Sequence, residues 1–101
     1  MYLYNITIKI AWEIHEDWLI WMREENIPFL YTGELISKHL FLRLKDIEET
    51  DGPTYALQLF LDTEQHYNKF IMEYLSDINQ VQKARWGNNM YSFATLMEVV
   101  H

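Results

Sequence analysis

The segment LISKHLFLRLKDIEETDGPTYALQLFL, residues 35–61, contains two runs of alternating apolar and polar side chains separated by an acidic turn. Alternation with a period of two is typical of β-strands, so residues 35–45 and 54–61 are predicted to form two strands. The connecting residues 46–53 carry four carboxylates and end in Gly-Pro, which favours a solvated hairpin loop. These carboxylates lack the regular spacing of a calcium-binding loop. A β-hairpin is therefore predicted at the centre of the chain.

A strand and a helix precede this hairpin. Residues Tyr2–Ile10 place an apolar or aromatic side chain at every even position, which predicts another strand. The helix that follows has an apolar stripe at helical spacing, formed by Ile14, Trp18, Trp21 and Met22. We expect this helix to end near Asn26, because Pro28 restricts the residue before it and has no backbone N–H. A short helical turn over residues 28–32 would then lead to the hairpin.

A second helix and a fourth strand follow the hairpin. Asp62 or Thr63 is positioned to cap a helix whose apolar side chains run from Tyr67 to Ile78, and Gly87 marks its end. Alternation over residues 90–100 predicts the last strand. The order βαββαβ predicts an α+β fold of the ferredoxin-like type, with a four-stranded antiparallel sheet and two helices on one face. A chain of 101 residues is expected to form a single domain, residues 1–101.

The two faces of the predicted sheet differ in composition. The more apolar face of each strand is expected beneath the helices, and it comprises Tyr4, Ile6, Ile8, Ile10, Leu40, Leu42, Leu44, Tyr55, Leu57, Leu59 and Leu61. The opposite face then carries Leu3, Asn5, Thr7, His39, Phe41, Arg43, Ala56, Gln58, Phe60 and, in the fourth strand, Ser92, Ala94 and Leu96. A mixed surface with uncovered Phe and Leu side chains is typical of a partner interface. We therefore expect a homodimer whose two sheets face each other as a dimeric α+β barrel around a cavity.

The charge and composition argue against several classes of partner. Fifteen acidic and eight basic residues give a net charge of -7, which repels nucleic acid and anionic membrane surfaces. No apolar run is long enough to cross a membrane, and the first residues alternate instead of forming a signal peptide. The chain has no cysteine, which fits a reducing compartment. We expect a soluble, cytoplasmic protein.

Five side chains on the expected open face are candidates for binding a small apolar or carboxylate ligand: Asn5, Thr7, His39, Arg43 and Gln58. Arg43 offers a forked donor set for a carboxylate, and His39 changes charge near neutral pH. The two lie about 13 Å apart along the strand at about 3.3 Å per residue, so they could bracket a ligand without touching the same atom. Solvated side chains or interface contacts would also explain these residues. No metal-ligating pattern, phosphate loop or nucleophile motif occurs, so we expect no metal or cofactor and assign no catalytic residue.

Several runs of the sequence resemble those of a known family. They are YNITIKI, IHEDWLIWMREENIP, the TG pair before the second strand, TYALQLF, and RWGNNMYSFATLMEVV near the end. Together they resemble a family of short bacterial proteins known as domain of unknown function 4286. The resemblance implies a fold similar to the dimeric α+β barrel proteins, which include cofactor-independent antibiotic-biosynthesis monooxygenases and muconolactone isomerases. It implies no activity that could be transferred to particular residues.

Two functions are compatible with these observations. The first is a non-catalytic homodimer that binds a small ligand or another protein through its open sheet face. The alternative is a cofactor-independent monooxygenase or isomerase acting in the dimer cavity, with His39 carrying a proton and Arg43 holding an anion. The first is favoured because catalysis needs converging groups and the candidate residues are dispersed. Whether the protein is an enzyme stays open.

Overall fold

The computed structural model describes all 101 residues and has the predicted element order. The four strands are β1 (Tyr2–Ile10), β2 (Lys38–Arg43), β3 (Thr54–Leu61) and β4 (Met90–Glu98). They form one antiparallel sheet in the order β2-β3-β1-β4. The helices are α1 (His15–Trp21) and α2 (Ile27–Leu30) between β1 and β2, and α3 (Glu64–Phe70) and α4 (Ser76–Trp86) between β3 and β4. The predicted ferredoxin-like α+β fold is confirmed.

Each pair of helices is joined by a π-helical turn into one long helix. The first long helix covers residues 15–30 with its π turn at Met22–Asn26, and the second covers residues 64–86 with its π turn at Ile71–Leu75. The prediction that the first helix ends near Asn26 is wrong, because the N–H of Ile27 bonds back five residues to the carbonyl of Met22. Pro28 then falls in the first turn of α2, where a residue without an N–H is tolerated.

The register of the edge strand β2 reverses its predicted faces. In an antiparallel pair, residues directly opposite each other share a face. The pairs on the helix side are His39 with Leu59, Phe41 with Leu57, and Arg43 with Tyr55. The expectation that His39, Phe41 and Arg43 lie on the open face was therefore wrong. Leu40 and Leu42, which were expected in the core, lie on the open face instead.

Aromatic packing explains why Phe41 faces the helices. Its ring centroid lies 5.7 Å from that of Trp18 and 5.3 Å from that of Tyr55. Both faces of β2 carry large apolar side chains, so hydrophobicity alone did not distinguish them. A phenyl ring buries more area than a leucine side chain and gains from contacts with other rings. Leu44, another expected core residue, lies just beyond the end of β2.

The other edge strand, β4, is reversed in the same way. Ser92, Ala94 and Leu96 were expected on the open face, but they pair with Ile8, Ile6 and Tyr4 and so lie on the helix side. The open side of β4 carries Tyr91, Phe93, Thr95 and Met97. Ser92 and Ala94 remain exposed on the helix side, because the helices do not cover the edge strand closely. Small side chains are tolerated there, and they leave space between the layers.

The hydrophobic core lies between the helices and the central strands. Trp18 and Phe70 have no exposed surface, which confirms Trp18 as a core residue. Ile6 is partly buried and packs against the core. The rings of Trp21 and Trp86 contact each other edge to face, with centroids 5.7 Å apart, and so link the two long helices. None of the helices has the length and apolar character needed to span a membrane.

Candidate functional site

The open face is the side of the sheet that no helix covers. Its side chains are those of Leu3, Asn5, Thr7, Lys9, Lys38, Leu40, Leu42, Thr54, Ala56, Gln58, Phe60, Tyr91, Phe93, Thr95 and Met97. The exposed large apolar side chains lie on the two edge strands, and they are Leu40, Leu42, Tyr91, Phe93 and Met97. The polar side chains of β1 and β3 lie between them. None of the strand residues on this face is acidic, and its charged strand residues are the two lysines Lys9 and Lys38.

Three of the five predicted site residues meet at the centre of the open face. The Nε2 of Gln58 donates a hydrogen bond to the Oδ1 of Asn5 at 3.2 Å. The Nδ2 of Asn5 donates to the Oγ1 of Thr7, also at 3.2 Å. The three half-buried side chains form one polar row across β1 and β3. Each amide keeps unused donor or acceptor capacity toward whatever covers the face.

His39 and Arg43, the other two predicted site residues, lie on the opposite side of the sheet. The Nδ1 of His39 lies 2.6 Å from the hydroxyl of Tyr31, which connects β2 to the end of the first long helix. Burial raises the pKa of the Tyr31 hydroxyl. His39 is thus held by a contact within the subunit, and it does not join the polar row.

Arg43 forms an ion pair within the subunit. Its Nη2 and Nε donate to the two carboxylate oxygens of Glu49 at 2.9 and 3.2 Å, and its guanidinium lies over the rings of Trp12 and Tyr55. The hydrogen bond from Arg43 lowers the pKa of Glu49. Because Glu49 already neutralises Arg43, the arginine does not depend on a partner subunit or ligand for its counter-charge.

Next to this ion pair lies a contact that sequence reasoning missed. The Nε2 of His15 is 2.7 Å from the hydroxyl of Tyr55, forty residues away in the chain. Burial and the charge of Arg43 lower the pKa of His15, so the neutral imidazole is favoured. The sequence held no signal for a partner so distant along the chain.

A second feature not expected from the sequence is a cavity between the two long helices and the sheet. This interlayer cavity measures about 180 Å³ and is bordered by thirteen residues, nine of them hydrophobic. Its polar border includes Asn26, Asn79, Gln82 and Ser92. It lies within one subunit, on the opposite side of the sheet from the open face. None of the five predicted site residues borders it.

A match to the family described as Domain of unknown function (DUF4286) covers residues 1–100. The chain belongs to this family. The family relationship suggested by the sequence runs is therefore confirmed over almost the whole chain. No functionally curated protein matches the sequence.

Solved structures with the same fold have low sequence identity to this chain. A candidate antibiotic biosynthesis monooxygenase from Deinococcus radiodurans is 13% identical, with a TM-score of 0.69 over 100% of this chain and 94% of its own. An ethyl tert-butyl ether D family protein from Bacillus halodurans is 8% identical, with a TM-score of 0.70 over 99% and 100%. A dimeric ferredoxin-like protein from an uncultured marine organism is 12% identical, with a TM-score of 0.67 over 99% and 96%. At such identities the likeness establishes the fold alone.

Proposed function

We propose that this protein is a non-catalytic, homodimeric binding protein of the bacterial cytoplasm, formed when two open faces pack against each other as an α+β barrel. One observation carries the proposal. A chain with fifteen acidic residues and a net charge of -7 has one broad sheet face on which no strand residue is acidic, and that face exposes large apolar side chains.

The charge distribution favours a second copy of the chain as the occupant of this face. Two subunits that each carry a charge of -7 repel each other in most orientations. Packing open face against open face brings no carboxylate of those faces into the interface. The remaining acidic groups stay on the outside, where salt screens them over about 8 to 10 Å. The two lysines of each face lie near opposite ends of β1 and β2, so their charges do not concentrate at one point.

The size and pattern of the open face are compatible with a stable dimer. At about 3.3 Å per residue and about 4.8 Å between strands, four strands of nine, six, eight and nine residues cover roughly 510 Å² in projection. The accessible area of a corrugated surface exceeds its projection, so this figure is a lower limit to compare with the ~800 Å² that each partner contributes to a standard interface. Exposed side chains such as Phe93 and Leu40, 54% and 46% exposed, would supply the apolar contacts.

The polar row at the centre of the face would lie near the twofold axis of such a dimer. There the unused amide groups of Asn5 and Gln58 could bond to the partner, to water or to a small ligand enclosed between the sheets. Arg43, the residue proposed to bind a carboxylate, lies on the other side of the sheet. The ligand expected at the polar row is therefore a neutral molecule. A likeness to proteins described as dimeric and ferredoxin-like also supports pairing.

The enzymatic alternative has one argument in its favour, the likeness to a candidate monooxygenase. Its two proposed catalytic groups do not converge on a common cavity. His39 contacts Tyr31, and Arg43 is paired with Glu49. We therefore base the proposal on binding.

Sedimentation velocity at micromolar concentration tests the dimer. The wild type is expected at twice the subunit mass of 12.3 kDa. Leu42→Asp places a charge on the open face and should yield the monomer, because a desolvated carboxylate without a partner is strongly unfavourable. Met72→Asp is the matched control, since Met72 is 83% exposed on the second long helix, and it should remain dimeric. A wild type that sediments at 12.3 kDa, or a Leu42→Asp variant that stays dimeric, would contradict the proposal.

A further inference from the structure

We infer that the interlayer cavity is a binding site for a neutral small molecule about the size of one substituted aromatic ring. A cavity of about 180 Å³ slightly exceeds the roughly 150 Å³ of an apolar protein cavity known to hold benzene. All its bordering residues belong to one subunit, so the inference does not depend on the proposed dimer.

Two buried carboxamides border the cavity and are poorly satisfied by the protein. Asn26 and Gln82 are only 6% and 9% exposed. The Nδ2 of Asn26 donates only to the sulfur of Met22 at 3.3 Å, which is a weak acceptor, and no side-chain hydrogen bond of the chain involves Gln82. The fully buried polar side-chain atoms without a partner belong to Trp18, His66 and Trp86, so the amide atoms of Asn26 and Gln82 keep some accessible surface. Their polar atoms are therefore available to a guest in the cavity.

Both π turns contribute a residue to the border of the cavity. Asn26 is the last residue of the first π turn, and Leu75, the last residue of the second, also borders the cavity. Single π turns occur frequently at functional sites, because they displace a side chain from the regular helical position. Opposite them, Ser92 and Ala94 of β4 are too small to fill the space.

The border of the cavity also determines the charge of the guest. It contains no Asp, Glu, Lys, Arg or His side chain, so an ionised ligand would lose part of its hydration without gaining a counter-charge. Its apolar part, which includes Ile6, Leu57 and Phe70, suits a ring. A carboxamide offers both a donor and an acceptor, so a neutral group with the same pair, such as an amide or a hydroxyl, fits best.

The experiment uses benzamide and benzoate, which have nearly the same shape but differ in charge. In ¹H–¹⁵N NMR titrations of the full chain, benzamide should shift the side-chain NH₂ signals of Asn26 and Gln82. Benzoate should bind at least tenfold more weakly. The inference is overturned if benzamide at 10 mM leaves both signals in place, which would mean that the cavity holds only water, or if benzoate binds equally well.

A pair of variants tests the role of the buried amide. Gln82→Leu keeps the approximate size of the side chain and removes its hydrogen-bonding groups, so it should weaken benzamide binding at least fivefold. Gln80→Leu makes the same change on an exposed position of α4 and should leave binding unchanged. Equal effects of the two substitutions would overturn the inference. If Gln82→Leu does not fold, the wild-type titration with the two probes decides the question by itself. A monomeric protein that still binds benzamide would refute the dimer without affecting this inference.

Discussion

Replacement of Trp18 gives the sharpest test of the core. Trp18 has no exposed surface, and its ring packs against Tyr55 and Phe41 with centroids 5.1 and 5.7 Å away. Truncating a buried Trp or Phe to Ala typically costs about 3 to 5 kcal/mol. For a domain of this size, with a shift of about 4 to 8 °C per kcal/mol, Trp18→Ala should lower the melting temperature by about 12 to 40 °C.

Trp18→Phe should behave differently, because the indole N–H of Trp18 is buried without a hydrogen-bond partner. An unsatisfied buried donor costs about 1 to 3 kcal/mol, and phenylalanine removes it. This gain opposes the loss of ring volume, so the net change in the free energy of unfolding should stay within about 1.5 kcal/mol.

Urea denaturation followed by circular dichroism measures both variants. Ile20→Ala serves as the control, because Ile20 lies on the same helix and is 52% exposed, and it should change stability by about 0.5 kcal/mol or less. The reasoning is refuted if Trp18→Ala lowers the free energy of unfolding no more than Ile20→Ala does. It is also refuted if Trp18→Phe lowers the free energy of unfolding as much as Trp18→Ala does, since the buried N–H would then not be destabilising.

Three further predictions follow from the hairpin and its surroundings. Gly52→Ala should destabilise the domain by more than about 2 kcal/mol in thermal denaturation, because Gly52 has a φ of 153° and an added Cβ would clash with the carbonyl oxygen of Ile10. A melting temperature equal to the wild type would disprove this. Arg43→Met should leave both the melting temperature and the sedimentation nearly unchanged, because its ion pair is exposed and lies away from the open face; a monomeric variant would show that this placement is wrong. Burial first, and then the charge of Arg43, lowers the pKa of His15 from its ordinary value of 6.5. The imidazole of His15 is therefore protonated at a higher pH in the unfolded chain than in the folded one. Stability should therefore fall as the pH drops below about 6.5, and His15→Gln should reduce this slope in urea titrations at several pH values; an unchanged slope would contradict the assignment.

The contrast between strand faces explains which parts of the sheet were predictable. On β1 and β3 one face carries Ile or Leu and the other carries groups such as Asn5, Thr7 and Gln58, so both faces were assigned correctly. On β2 and β4 both faces carry large apolar residues. Alternation then indicates a strand but not the face that the helices cover. All the misplaced residues of the sheet, including His39 and Arg43, lie on these two edge strands.

The candidate sites were predictable to different degrees for the same reason. The polar row of the open face was found because its members lie on the central strands. The contact between His15 and Tyr55 and the amides of Asn26 and Gln82 involve helix residues, and the alternation of the strands does not indicate what those residues face. No local pattern connects such residues before the chain is folded.

The sequence by itself determined the order of the elements, the fold class, the core position of Trp18 and the family, because periodicity, turn residues and composition are local properties. Only the tertiary structure decided which faces of β2 and β4 meet the helices, and that the first helix continues through Pro28 after a π turn. The local sequence is compatible with either face of each edge strand and with a helix that ends before Pro28. Side-chain packing and hydrogen-bond register select the observed arrangement. The same packing leaves the open face on one side of the sheet and the interlayer cavity on the other.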